Sequence, residues 1–226
     1  TKLADIYLLA YMSDAQRSKN YETVFDEFRK ELPEQSFDRL RMDGYRAWRD
    51  RDLDGALAKF EAAAKSKPGD VNLDLAVAQV LIQKNRAADA ETILTGIIAR
   101  DKSNSSAYDL LYREYMRRNL PAEAEKIRKA KADNNPTVLQ YKVQLATHYF
   151  LLNRQDESDR ILETVIADAK TFPDGRERVG DFYMTFRQFD KALETYKGGL
   201  GGGKEQRLNF LRKMADVYVL QGRRDQ

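Results

Sequence analysis

The chain has 226 residues, of which 42% are hydrophobic and 33% charged, and 39 Lys and Arg stand against 36 Asp and Glu for a net charge of +3. That is enough apolar material to bury a core without staples, and no apolar run approaches the roughly 18 residues of a membrane span. The absence of cysteine excludes disulfides, thiolate catalysis and Cys-ligated zinc, and a single histidine, His148, leaves no histidine-rich metal site.

The charges are interspersed along the chain. That is the pattern of solvated helix faces, not the basic stripe of a nucleic-acid binder. Only five prolines and twelve glycines occur, and five of the glycines lie between Gly198 and Gly203, so the rest of the chain reads as helix. The chain starts at Thr1 and ends at Gln226, and both ends read as cuts through a longer protein. The compartment stays open between cytoplasm and periplasm.

In chain order, the first helix holds Leu3, Ile6, Tyr7, Leu8 and Tyr11 and drifts into polar residues towards Asn20. Tyr21, Val24, Phe25, Phe28 and Leu32 make a second. Helices follow over about 37–49 and 53–65, with Pro68 stopping the latter and Gly69 turning the chain. From there the pattern repeats. Ala56, Ala90, Ala124, Ser158 and Ala192 are each 34 residues apart. Four residues beyond them stand Phe60, Leu94, Leu162 and Tyr196, with Arg128 the departure. Twelve before them stand the small residues Gly44, Ala78, Ala146 and Gly180, with Tyr112 the exception. Met214 to Tyr218 echoes Leu3 to Tyr7 and starts a seventh first helix.

A helix pair of this kind cannot bury its apolar face alone, so neighbouring pairs must stack. Gly44 and Ala56 let the two helices approach, and Gly44→Leu is expected to overpack the contact by about 1–3 kcal/mol. The units run over 1–36, 37–70, 71–104, 105–138, 139–172 and 173–207, with a half unit over 208–226.

Three segments imitate chemical motifs. Asp50, Asp52, Asp54, Gly55 and Glu61 match a calcium-loop spacing. Ala56 and Phe60 are repeat packing residues, however, and need that stretch helical, so cation binding there is only a weak alternative. Gly198 to Lys204 is close to a phosphate loop. It is followed by Glu205 where Ser or Thr is needed and preceded by helix instead of strand, so it reads as a lengthened turn. His148 reads as a packed structural histidine, and Glu123 and Glu125 as solvated charges.

The 34-residue pattern resembles the tetratricopeptide repeat over nearly the whole chain. That resemblance implies an all-α fold, an α-solenoid of stacked antiparallel helix pairs wound as a right-handed superhelix, whose first helices line a concave groove. It implies a non-catalytic interaction scaffold without a cofactor. The lining residues it assigns are Arg41, Tyr45, Trp48 and Arg49, then Gln79 and Ile82, then Arg113, Met116 and Arg117, then Thr147 and Phe150. Trp, Tyr and Arg are common interface anchors, and the arginines suit a protein or peptide with an acidic segment. The sixth unit turns acidic through Asp174, Glu177 and Asp181. The subclass that clamps a chaperone tail uses a Lys–Asn pair where Arg41 and Tyr45 stand, which disfavours it. Other readings are a recruiting or spacer segment of a larger enzyme or assembly protein, an RNA-binding helical repeat, and self-association through the solenoid ends.

Overall fold

In a computed structural model, which describes residues 19–222, the chain forms twelve helices and no strand among the described residues. They are α1 (Lys19–Glu31), α2 (Phe37–Arg49), α3 (Leu53–Ser66), α4 (Val71–Gln83), α5 (Ala87–Arg100), α6 (Ser105–Arg117), α7 (Pro121–Asn134), α8 (Leu139–Leu151), α9 (Gln155–Ala167), α10 (Gly175–Thr185), α11 (Phe189–Lys197) and α12 (Lys204–Leu220). This is the all-α helical-repeat fold of the solenoid class. The helix read over residues 3–11 lies outside the described residues. No helix among them is long and apolar enough to cross a membrane.

Two compact units divide the chain, 1–120 and 121–226. In the first, α2 packs on α3 and α4 on α5, and α6 covers α5. In the second, α7 packs on α8, α8 on α9, α10 on α11, and α12 closes on α11. The last helix begins at Lys204, inside the stretch read as the sixth unit.

The turns inside the pairs explain why the repeat keeps its length. Arg51, Asn85, Asn119, Asn153 and Arg187 all take positive φ, between 56° and 67°, and stand 34 residues apart. At each, the following N–H reaches back five residues to a helical carbonyl, from Asp52 to Ala47, Arg86 to Leu81, Leu120 to Tyr115, Arg154 to Tyr149 and Gln188 to Tyr183, at 2.8–3.0 Å. This left-handed cap satisfies the orphan carbonyls and aims the chain into the second helix. Asn tolerates that conformation better than other non-glycine residues. The period of Asn85, Asn119 and Asn153 was the readable signal for it.

Helix starts repeat as well. Ser36, Asp70 and Asn104, again 34 apart, accept the backbone N–H of Arg39, Leu73 and Ala107 at 3.3, 3.1 and 3.1 Å. Val138 holds the next such place and offers no side-chain cap.

The crossing of each pair is set by complementary sizes. A Cβ on Gly44 would lie 2.4 Å from the Phe60 ring, and one on Gly180 would lie 2.1 Å from the Tyr196 ring. At the same register Ala78 and Ala146 are matched by the smaller Leu94 and Leu162, all four fully buried. Glycine opposes an aromatic ring and alanine opposes leucine, so the combined volume is nearly constant. In the second unit Ala146, Leu162, Val165, Val179, Ala192, Tyr196, Phe210 and Val217 form one core.

Candidate functional site

In the first unit, the first helices α4 and α6 present Gln79, Ile82 and Gln83 opposite Leu110, Arg113, Glu114 and Arg117 around an open cleft of 210 Å³. These residues recur three and four apart, the spacing that puts side chains on one helix face. Four expected lining residues, Gln79, Ile82, Arg113 and Arg117, are therefore brought together. Arg117 forks onto Glu114 with two 2.8 Å bonds. Arg113 is exposed and makes no ion pair among the described residues.

Trp48 is half-buried and donates from Nε1 to Gln83 Oε1 at 2.9 Å, which joins the neighbouring repeat to the rim of this cleft. Its ring stacks on Tyr45 at 6.0 Å, and Tyr45 meets the Phe60 ring edge-on at 5.1 Å. Arg41 stays apart from these. It is 4% exposed, bonded to Asp38 at 3.2 Å, and its guanidinium lies over the Phe37 ring at 5.1 Å. Arg49 is paired with Asp50 at 3.0 Å, and Met116 is half-buried on α6 outside the cleft lining.

The second unit has a cleft of the same kind. Gln140, Val143 and Thr147 on α8 face Arg178, Asp181, Phe182 and Thr185 on α10, with Phe186 just beyond, around 300 Å³. Phe150 supports this wall, its ring 4.2 Å from Phe186 and 5.9 Å from Phe182. Thr147 Oγ1 donates to the Val143 carbonyl at 2.8 Å.

The acidity expected of the sixth repeat is partly offset from within, by one lysine shared between two carboxylates. Asp181 accepts from Tyr196 Oη and Lys213 Nζ, both at 2.7 Å. Glu177 takes Lys213 at 3.2 Å and Asn209 at 2.9 Å. Burial, then the Asp181 carboxylate, push the Tyr196 phenol well above its ordinary value. Burial opposes the charge on Lys213, but its bonds to Asp181 and Glu177 outweigh that and raise it. Arg178, exposed and without an ion pair among the described residues, is the free charge of this cleft.

Leu110, Glu114, Arg178, Phe182 and Phe186 were missed by the sequence reading. Leu110 and Arg178 share the sixth place of their units, and Glu114 and Phe182 the tenth. Their common register was the available signal.

The chemical look-alikes resolve into structural roles. Asp52 caps α3 by accepting from Gly55 N at 2.8 Å, Asp54 pairs with Lys84, and Asp50 with Arg49. Glu61 is exposed in mid-helix, so the calcium-loop stretch is helical from Leu53 to Ser66. Among the described residues no three acidic or histidine side chains are placed to hold a metal ion. The glycine segment joins the end of α11 to Gly203, the N-cap of α12.

His148 is 1% exposed, and burial holds its imidazole below its ordinary value. Glu125 corrects the reading as a solvated charge: it accepts from Tyr149 Oη at 3.0 Å and Arg154 Nη1 at 2.6 Å. Burial raises its carboxyl, but these bonds bring it below the usual range. Its near neighbour Glu123 is held, among the described residues, by Lys126 at 2.9 Å.

Residues 47–114 match a tetratricopeptide-repeat family model. No curated protein matches the chain. Among solved structures, the yeast Tom70 crystal structure aligns over 97% of this chain with a TM-score of 0.58 at 16% identity. The chain spans 47% of that structure's length. A thermophilic tetratricopeptide-repeat protein of Thermus thermophilus is 22% identical over 81% of this chain and 99% of its own, with a TM-score of 0.40. A crystal structure of MamA is 16% identical over 84% and 96%, with a TM-score of 0.46. Residues 47–114 are thus matched to the tetratricopeptide repeat, and the same 34-residue period and left-handed turn continue beyond them to Arg187.

Proposed function

We propose that the chain is a non-catalytic scaffold that holds a protein or peptide segment on its first-helix faces. The observation that carries this reading is that each compact unit has an open cleft at the same repeat register. In each, one exposed arginine without an ion pair among the described residues stands beside apolar side chains: Arg113 with Ile82 and Leu110, and Arg178 with Val143, Phe182 and Phe186. An arginine fork binds a carboxylate at two points, and the adjacent apolar wall takes an aliphatic or aromatic side chain. The ligand chemistry is therefore an acidic residue next to an apolar one. Trp48 and Tyr45, linked through Gln83, supply a flat aromatic surface beside the first cleft.

A peptide array that pairs Asp or Glu with Leu, Ile or Phe tests this. Peptides retained by the native chain should be lost from Arg113→Glu or Arg178→Glu. Equal retention by the Arg113→Glu, Arg178→Glu double variant would remove both clefts from the function.

A further inference from the structure

We propose that the second cleft selects for an aromatic side chain: it seats the ring of Phe, Tyr or Trp from a partner segment and holds a neighbouring carboxylate of that segment on Arg178. This deepens the reading of the clefts as peptide sites and rests on it.

The wall beyond Val143 is built of rings. Phe182 and Phe186 lie 4.8 Å apart, and Phe150 meets both, at 5.9 and 4.2 Å. Phe182 is buried in the core of the unit, whereas Phe150 and Phe186 are half-buried. The Phe150 and Phe182 rings are edge-on at 89°, and the other two pairs are tilted. Rings favour such edge-to-face and offset contacts, so a further ring entering from the cleft continues the packing. The first cleft has no ring in its lining, where the apolar side chains are Ile82 and Leu110. It is also the smaller, at 210 against 300 Å³.

The apolar surface continues past Thr147. Leu151 stands four residues on, the spacing of one helix face, and is 59% exposed. Both α9 and α10 already pack against α8. The opening at Leu151 therefore belongs to a groove between repeats that are both in place.

Charge selects the rest of the occupant. Thr147 and Thr185 spend their hydroxyls on the carbonyls of Val143 and Asp181, each at 2.8 Å. Asp181 Oδ1 takes Tyr196 and Lys213. Arg178 is exposed and has no ion pair among the described residues. It stands about one helical turn before Phe182 and two before Phe186, so neighbouring residues of one segment can reach both the cation and the rings. The occupant that satisfies both features is a protein segment carrying an acidic residue beside an aromatic one.

Fluorescence polarisation tests this with labelled Gly/Ser peptides that each carry one Glu–Phe, Glu–Leu or Gln–Phe pair. The Arg113→Glu variant serves as receptor, which sets aside the first cleft, and circular dichroism verifies its helicity and that of each further variant. Glu–Phe should bind about three- to tenfold tighter than Glu–Leu, the advantage of one aromatic contact, and Gln–Phe should be weaker than Glu–Phe. Adding Phe186→Leu should abolish the difference between Glu–Phe and Glu–Leu while leaving Glu–Leu unchanged. Equal binding of Glu–Phe and Glu–Leu, lost in the Arg113→Glu, Arg178→Glu double variant, would leave the peptide reading standing and overturn the aromatic selectivity. A preference for Phe that survives Phe186→Leu would place the ring elsewhere and overturn it as well. Undiminished binding to the double variant, or no binding of any peptide to the native chain, would overturn both.

Discussion

The phenol of Tyr183 donates to the carboxylate of Asp159 at 2.9 Å, joining α10 to the second helix of the preceding repeat. Lys191 holds the other oxygen of Asp159 at 2.5 Å. One period earlier, Tyr149 does the same to Glu125, with Arg154 on the second oxygen. The tie recurs because the tyrosine and the acid each keep their place in the 34-residue frame.

Removing that hydroxyl leaves the partly exposed Asp159 carboxylate with one partner fewer. Tyr183→Phe should lower the stability of the second unit by about 1.5 kcal/mol, the low end of the range for a hydrogen bond to a charged group. Urea unfolding followed by circular dichroism reads this directly. An Asp159→Asn, Tyr183→Phe cycle should show that the two losses are not additive.

The same tie has an alkaline consequence. Burial and Glu125 push the Tyr149 phenol up from 10.0 to about 12. A pKa raised on folding means that the native state keeps a proton which the unfolded chain releases. The stabilisation is whole below pH 10 and is lost as pH rises towards about 12. Tyr149→Phe should flatten the fall in stability across that window, as read by urea midpoints at stepped pH.

His148 acts at the acid side. Its pKa is lowered from 6.5, first by burial, with Arg128 and Arg154 adding to this and Glu125 opposing it. The unfolded chain therefore takes up a proton before the native state does. Its contribution is complete above 6.5 and is lost as pH falls through the depressed value. Because His148 is the one histidine of the chain, its imidazole proton is a single resolved NMR signal, expected to titrate below 6.5. His148→Gln should remove the slope of stability over the same range.

Size matching at the pair crossing predicts a rescue. Gly44→Ala drives a methyl into the Phe60 ring and should cost about 1–3 kcal/mol. Adding Phe60→Leu reproduces the Ala78 and Leu94 combination and should recover much of that loss. Thermal melts of the two single variants and the double variant decide it. A double variant less stable than both singles would contradict the matching.

Ser158 stands where the other repeats have Ala56, Ala90, Ala124 and Ala192. It is fully buried, and its hydroxyl has no hydrogen-bond partner among the described residues. Ser158→Ala should stabilise the chain by about 1 kcal/mol, since a desolvated hydroxyl without a partner is a net cost. A raised urea midpoint at unchanged slope is the expected result.

The helix pairs, their boundaries and the packing of Gly44 on Phe60 were legible because they are local. Helix period, caps and the crossing of two helices joined by a three-residue turn depend on residues within half a repeat. The observed α2, Phe37–Arg49, coincides with the expected helix, and α3 runs one residue past its expected end. Only part of the cleft lining was legible in this way: Gln79, Ile82, Arg113, Arg117 and Thr147 were expected on these faces, whereas the sixth and tenth places that supply Leu110, Glu114, Arg178 and Phe182 were not.

What only the tertiary structure decided is which charges remain free. Arg41 and Arg113 occupy comparable first-helix faces and read alike in sequence. Folding buries Arg41 on Asp38 and Phe37 and leaves Arg113 in a cleft. Glu177 and Asp181 looked like an acidic surface until α12 brought Lys213 to them across 36 and 32 residues. A carboxylate's partner is chosen by distance in space, and the stacking of neighbouring repeats sets that distance. No local pattern carries it, because the same helix face can meet a lysine, a phenyl ring or water according to which residue the next helix places opposite.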